Sequence, residues 1–314
     1  MDRNLALELV RVTESAALAS ARFFGKGDPA SADRAAVEAM ELSFKGVKIS
    51  GHIIIGEERI SESSKLCVGD MIGAGGEAAF DIVVDPVDCI EALADGQSNS
   101  ISAIAMGQRG TFFELVAPYM RKIVVGAEAA DAIDLDASVF DNLVRIADAK
   151  RVYVEDLTVS ILDRERHRTL IGEVRRAGAR IELLKAGELA AAISASLPET
   201  GIDVMMGIGD AKQGIIAAAA VGCLNAGLQV QFMPSLDAEP ESLPDEFRKI
   251  YGARDLVGGD VMFAATGVSR SDFLDGVMFK PGGAVTHSVV FRSRSGTSRF
   301  LKTEHSFEKA PDYT

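Results

Sequence analysis

The amino-acid sequence predicts an α/β fold in two parts, and two patterns carry that expectation. From about residue 150 onward, short apolar runs alternate with helical stretches, as in crossover units of a parallel, doubly wound sheet. Earlier, two apolar runs, 52–55 and 82–84, lead straight into carboxylates, and ligand sites of α/β sheets collect at such strand ends. With 314 residues, 47% of them hydrophobic and 25% charged, the chain is long enough for a sizeable core and two domains. The change of pattern puts the division at 150, giving parts 1–150 and 151–314.

Residues 3–24 read as a helix with apolar positions Leu5, Leu7, Leu9, Val10, Val12 and Ala16 to Leu18, and Gly25 to Pro29 ends it. A second helix, 31–44, has Ala32, Ala35, Ala36, Val37 and Met40 as its apolar residues and Asp33 near the positive end of its dipole. Runs 47–50 and 52–55 are expected as strands around a turn at Gly51, the second meeting Gly56-Glu57-Glu58. Residues 67–72 lead into a glycine-rich loop at 73–76. That loop precedes a strand instead of opening a helix, so it does not read as a nucleotide cradle. The strand 82–84 stops at Asp85 because Pro86 has no N–H for a ladder. A short helix at 91–95 follows, then a hairpin of 100–106 with 111–115 about a turn at 107–110. Residues 122–125 are a further strand. Strands at 157–162, 180–183, 203–206 and 228–233 then alternate with helices at 164–177, 187–195 and 213–224. An acidic, proline-containing surface loop spans 237–246. A strand at 261–265 and a hairpin of 285–292 with 298–305 close the chain.

The formal net charge of -13 argues against nucleic acid or an anionic membrane as partner. Tryptophan is absent and aromatics are 6%, so a base-stacking platform is not expected either. The three cysteines, Cys67, Cys89 and Cys223, form no CxxC and no zinc pattern with histidine, which points to a reducing, cytoplasmic setting. The first residues lack the basic and apolar regions of a signal peptide, and no stretch approaches ~18 uncharged apolar residues.

Asp85 and Asp88 stand three residues apart across the turn that leaves a strand. Two carboxylates so placed can face one hard cation, Mg2+ or Mn2+. The same residues also suit a solvated Asx turn. Asp33, Glu57-Glu58 and the Asp210 to Gln213 turn are further polar features at element ends. His167 and His287 have no acidic or thiol partner at ligand spacing and read as packed or exposed histidines.

A strand-end GEE combined with a strand-end DPxD resembles the lithium-sensitive, metal-dependent sugar-phosphatase superfamily. Nearly the whole chain resembles one branch, the class II (GlpX-type) fructose-1,6-bisphosphatases. The residues carrying the resemblance include RVTESAALA (11–19), IIIGEE (53–58), DIVVDPVD (81–88), DGQSN (95–99), PYMRKIVVG (118–126), LTVSILDRERH (157–167), DVMMGIGDAKQG (203–214) and FAATGVSRSDFLDG (263–276). The resemblance implies a layered α-β-α-β-α fold and hydrolysis of the 1-phosphate of a sugar bisphosphate in gluconeogenesis. It implies Mg2+ or Mn2+ as cofactor and a homodimer or homotetramer as the assembly. It places Asp33, Glu57, Asp85 and Asp88 at metal-ligand positions, and Asp85, Asp88 and Gln213 in the catalytic set. Tyr119, Lys122, Arg164, Arg166, Gly187 and Glu188 fall in the sugar-phosphate pocket.

The chain departs from the branch pattern at several of these places. DPxEGT becomes DPVDCI, so Asp88 replaces Glu, Cys89 replaces Gly, and Ile90 replaces a Thr whose hydroxyl it cannot imitate. Arg59 and Ser61 replace acids; Arg59 reads either as a substitute cation or as a surface charge paired with Glu62. Pro29 replaces Lys, Ala186-Gly187-Glu188 replaces Asp-Gly-Asp, and Gln213 replaces Glu. Gln213 can still ligate through its carbonyl, without the charge. Cys89 reads as a reactive thiol or as a small apolar filler. These departures motivate a second reading, a catalytically impaired paralogue that binds a sugar phosphate or a protein partner.

Overall fold

Helix α1 (Leu5–Ser20) forms because Leu9, Val10, Val12, Ala16 and Ala17 recur at helical spacing, and all are buried. A 3-10 turn, Ala21–Phe23, follows it. Helix α2 (Pro29–Phe44) begins earlier than the sequence suggests. Pro29 is its first residue, where a missing N–H costs nothing, and the Asp28 side chain caps it by accepting the Ser31 N–H at 3.0 Å. Strand β1 (Ser50–Ile55) is continuous, with Gly51 inside it, so the expected turn at that glycine and the strand before it do not form. Next come β2 (Met71–Ile72), β3 (Ala79–Asp85), the short helix α3 (Ile90–Ala94) and β4 (Ile101–Gln108).

The middle of the chain holds β5 (Tyr119–Val125), α4 (Val139–Lys150), β6 (Thr158–Leu162), α5 (Arg168–Ala177), β7 (Arg180–Leu184) and α6 (Glu188–Ala195). It continues with β8 (Val204–Asp210), α7 (Ala211–Leu224), β9 (Gly227–Met233), β10 (Ile250–Gly252) and α8 (Ala253–Leu256). Helix α4 has no counterpart in the sequence reading. Its signals are a Ser138 cap that accepts the Asp141 N–H at 3.1 Å and the buried stripe Leu143, Ile146 and Ala147. The chain ends in β11 (Val261–Gly267), β12 (Met278–Lys280), β13 (Gly283–Arg292) and β14 (Thr297–Ser306).

This computed structural model describes residues 4–59, 61, 64–75, 79–238 and 243–308. Ile60, Glu62, Ser63 and Gly76, and part of the expected acidic loop at 237–246, lie outside them.

Contacts divide the chain into two units: residues up to Phe112 together with those from Gly259 on, and Phe113–Gly258. The boundary expected at 150 is therefore displaced, and the last part of the chain belongs with the first. The physical reason is strand pairing. Strand β11 pairs antiparallel with β4 over seven positions, from Val261↔Gly107 to Gly267↔Ile101. That pairing occupies the edge of β4 which a return strand at 111–115 would have taken, and no such strand forms.

In the first unit the sheet runs β12-β13-β11-β4-β3-β1-β2, with β14 also paired to β13. Strands β1 and β3 are parallel, while β3–β4, β4–β11 and β11–β13 are antiparallel. Helices α1 and α2 pack against each other, and α1 also packs on β4, β11 and β13. Leu9, Val12, Met40, Phe44, Ile53, Ile82, Val84, Ile104 and Met262 form its core.

In the second unit the sheet runs β10-β9-β5-β8-β6-β7. Strands β6, β7 and β8 are parallel, but β5 is antiparallel to both of its neighbours, so the sheet is mixed where the sequence suggests a parallel one. Ile123, Val125, Val159, Ile161, Val204 and Met206 pack against Leu143 and Ile146 of α4 and Ile171 and Val174 of α5. Helices α6 and α7 pack against each other and on the strands of the same sheet. Both units are α/β, consistent with the layered sugar-phosphatase fold. Among the described residues no helix is long and apolar enough to cross a membrane.

Candidate active site

In the first unit, the parallel register of β1 and β3 aligns the acidic strand ends. Ile53 lies opposite Ile82 and Ile55 opposite Val83, with an irregularity between them. The residues two places further along are Glu57 and Asp85, so both leave the same edge of the sheet. Neighbouring strands lie about 5 Å apart. Gly56 allows this exit: a Cβ there would overlap the Leu66 carbonyl, and Glu57 N–H donates to that same oxygen at 2.9 Å.

Asp85 and Asp88 are both buried, at 4% exposure each. The Asp88 N–H donates to the Ile101 carbonyl at 2.8 Å, and the Ser100 hydroxyl donates to the Asp88 carbonyl at 2.6 Å. These bonds tie the turn to the start of β4, so Asp88 is fixed and not a loose Asx-turn residue. Cys89 follows at φ 60°, ψ 51°, in the left-handed region, and Ile90 opens α3.

Asp33 and Glu57 line one cleft of about 540 Å³, together with Arg34, Val37, Glu38, Glu58, Ser61, Ser64 and Lys65. Arg34, Glu38 and Lys65 were not singled out from the sequence. The i, i+1, i+4, i+5 spacing of Asp33, Arg34, Val37 and Glu38 on one helix face was the signal for two of them. Lys65 pairs with Glu41 at 3.1 Å. Arg59 pairs with Asp70, whose other oxygen accepts the Cys67 N–H at 2.9 Å. Arg59 is thus engaged on the surface by Asp70; the alternative partner Glu62 lies outside the described residues.

The donor set in this unit is made of carboxylate oxygens, the chemistry that suits a hard divalent cation. Among the described residues, however, no three His, Cys, Asp or Glu side chains stand close enough together to hold an ion.

In the second unit, the carboxyl ends of parallel β6, β7 and β8 bring Arg164, Arg166, Gly187, Glu188 and Asp210 to one edge of the sheet. Tyr119 joins them because β5 runs antiparallel and pairs it with Asp210. Arg164 donates to the carbonyls of Asp163 at 3.0 Å and Lys185 at 2.6 Å. Arg166 donates through Nε and Nη2 to the Ile208 carbonyl at 3.0 and 2.9 Å, and burial lowers its pKa. Each guanidinium is held by backbone and keeps further N–H groups for an anion.

Lys122 and Glu188 lie inside the protein. The Lys122 ammonium, 2% exposed, donates to the Asp210 carbonyl at 3.0 Å and stands 3.3 Å from a Glu188 oxygen. The other Glu188 oxygen accepts the Asp210 N–H at 2.8 Å. Gly209 permits the approach, because a Cβ there would overlap the Glu188 carboxylate. Asp210 then caps α7 by accepting the Lys212 N–H at 2.6 Å and the Gln213 N–H at 3.4 Å. Gln213 is therefore on the first turn of α7, at the same strand edge. Gly187, at φ 92°, precedes α6.

His167 is a packed histidine. Its Nδ1 lies 2.8 Å from the Leu162 carbonyl, and its Nε2 accepts the Ile208 N–H at 2.9 Å, so the proton sits on Nδ1. Burial pushes its pKa down.

A model of the family described as "Bacterial fructose-1,6-bisphosphatase, glpX-encoded" matches residues 3–305. The chain is 35% identical over 337 residues to the D-fructose 1,6-bisphosphatase class 2/sedoheptulose 1,7-bisphosphatase of Synechococcus elongatus, covering 98% of each chain. It is 35% identical over 326 residues to fructose-1,6-bisphosphatase 1 class 2 of Escherichia coli (strain K12), covering 98% of this chain and 97% of the relative.

Proposed function

The chain belongs to the family of bacterial, glpX-encoded fructose-1,6-bisphosphatases, a family of phosphoric monoester hydrolases, and we propose that it removes the 1-phosphate of fructose 1,6-bisphosphate in the cytoplasm as a step of gluconeogenesis. The observation that carries this reading is the family match over residues 3–305. Sedoheptulose 1,7-bisphosphate is a second substrate to test, from the name of the cyanobacterial relative. Nothing in the fold or the comparisons favours an impaired paralogue.

In this reading Asp33, Glu57, Asp85 and Asp88 supply the oxygen donors that suit Mg2+ or Mn2+ and would hold it, although as the described residues stand no three of them lie close enough together to share one ion. When bound, such a cation stabilises phosphoryl charge and makes a water nucleophilic near neutral pH. The buried Asp85 and Asp88 supply negative charge at a fixed strand end. Gln213 offers a neutral carbonyl where an acid would add charge. Tyr119, Arg164 and Arg166 provide the hydroxyl and cationic donors that orient a sugar phosphate. Lys122, Gly187 and Glu188 shape the wall of that pocket, with Lys122 and Glu188 matching each other's charge.

Phosphate release from both bisphosphates, measured with Mg2+ and with Mn2+, tests the assignment. Asp85→Asn is expected to lower turnover by ~10²–10³-fold, the size of effect seen when electrostatic stabilisation of a transition state loses one component, here a charge that would hold the cation. No release from either substrate with either metal would overturn the reading.

A further inference from the structure

A cavity of about 220 Å³ lies in the second unit, between its sheet and helices α4 and α5. Successive side chains of a strand point to opposite faces. Ile123 and Met206 therefore turn toward α4 and α5, whereas Lys122, next to Ile123, reaches Glu188 at the start of α6 on the other face. Ile123, Leu135, Val139, Leu170 and Met206 supply the apolar wall. An apolar cavity of about 150 Å³ already accepts benzene, so this one has room for such a ring and a small polar group. The cavity is separate from the sugar-phosphate pocket. Tyr119, Arg164, Gly187 and Glu188 do not line it; Lys122 and Arg166 do, but the Lys122 ammonium is bound to the Asp210 carbonyl.

Two polar side chains in the wall are already engaged. His167 uses both ring nitrogens, on the Leu162 carbonyl and the Ile208 N–H. Asn142 accepts the Asp134 N–H at 2.9 Å and donates to the Asp134 carbonyl at 2.8 Å. Arg121 is different. Its Nη2 donates to Asp136 at 3.1 Å, while its Nε is buried and has no hydrogen-bond partner among the described residues. A buried donor left in that state is costly, and an acceptor in the cavity would relieve it. The register of β5 and β8 sets Arg121 across from Ile208, and the Ile208 carbonyl holds the Arg166 guanidinium. Two guanidiniums thus border one apolar cavity. Burial already disfavours the charge of Arg166, a cost that an anion offsets. Glu173 in the wall and Asp136 beside Arg121 set two negative charges against the two positive ones, which disfavours a dianion such as phosphate. We propose that this cavity is a ligand site for a small monocarboxylate with an apolar ring or branched body. Its carboxylate accepts from Arg121, and its body lies against Leu135, Val139, Leu170 and Met206.

Benzoate is the probe. Titrated into the full chain carrying isotope-labelled methionine methyls, it is expected to shift the Met206 resonance, assigned through Met206→Leu, and to saturate with a Kd below ~1 mM. Benzyl alcohol keeps the ring without the charge, and acetate keeps the charge without the ring. Each is expected to bind more weakly by about tenfold or more. Arg121→Met removes the guanidinium and is expected to weaken benzoate by a similar factor of about tenfold or more. Leu170→Trp, at a half-buried position of α5, fills the cavity and is expected to abolish the shift. Circular dichroism identical to wild type checks the fold of both variants. The comparison of the three probes uses the unaltered chain and stands whichever variant folds. A Met206 signal that benzoate leaves in place, benzyl alcohol or acetate binding as well as benzoate, undiminished binding in either folded variant, or the same shift from inorganic phosphate would each overturn the proposal.

Discussion

Cys89 adopts a backbone conformation that suits glycine. At φ 60°, ψ 51° its Cβ crowds the following carbonyl, a cost of roughly 1–2 kcal/mol that glycine escapes, offset in part by glycine's larger chain entropy. Cys89→Gly is expected to stabilise the protein by about 1 kcal/mol, read as a higher urea midpoint with unchanged slope. The replacement of Gly by Cys was legible in the sequence, but the left-handed backbone that gives it a cost was not. His167 shows the opposite balance. Its lack of ligand partners was legible, and the structure adds the neutral tautomer clamped between Leu162 and Ile208. Free histidine titrates near 6.5 and buried His167 below that, so under pH ~6.5 the unfolded chain binds more protons than the folded one. The stability His167 contributes is present above that pH and is lost as pH falls toward its folded pKa. In His167→Gln, which keeps a donor and an acceptor without titrating, the decline in urea midpoint between pH 7 and pH 5 is expected to be shallower than in wild type.

At the scale of elements, a single buried ion pair connects a strand, a helix start and the end of a second strand. Lys122 on β5 and Glu188 on α6 meet over Gly209, and both hold the backbone of Asp210, which in turn caps α7. The sequence placed both residues in the substrate pocket through motif position. It had no means of showing that they match each other, because the contact joins positions 66 residues apart, 188 less 122, through tertiary packing. Lys122→Met is expected to cost about 3–5 kcal/mol, since it leaves Glu188 as a buried, uncompensated charge. The double variant Lys122→Met with Glu188→Met is expected to recover most of that loss in urea denaturation. The acidic strand ends were readable for a simpler reason: an apolar run that stops at a carboxylate is a local pattern. Helix α4 carries equally local signals, its Ser138 cap and the buried stripe of Leu143, Ile146 and Ala147.

At the scale of the whole molecule, α/β class and most strands were legible, whereas the partition was not. The hairpin of β13 and β14 follows from alternation in adjacent segments, but the pairing of β11 with β4 joins residues far apart, and no local periodicity reports it. The consequence is that Phe113–Gly258 is a continuous segment with its own sheet and core. Expressed alone, residues 113–258 are expected to unfold cooperatively and to protect the amides of β5, β6 and β8 from hydrogen exchange. A fragment without such protection would show that this unit depends on the rest of the chain.

The same pairing bears on the order of events at the ribosome. When β4 leaves the exit tunnel its edge toward β11 has no partner, and none arrives until more than 150 further residues, 261 less 107, have been made. At bacterial elongation speeds of roughly 5–20 residues per second, that wait lasts on the order of ten seconds. During it the segment 101–107, ISAIAMG, offers an apolar strand edge to any chain nearby. Birth of this molecule is thus a period of exposure closed only when Val261–Gly267 has been made. Synonymous codons that slow translation between 113 and 258 would lengthen that period and favour aggregation of the nascent chain.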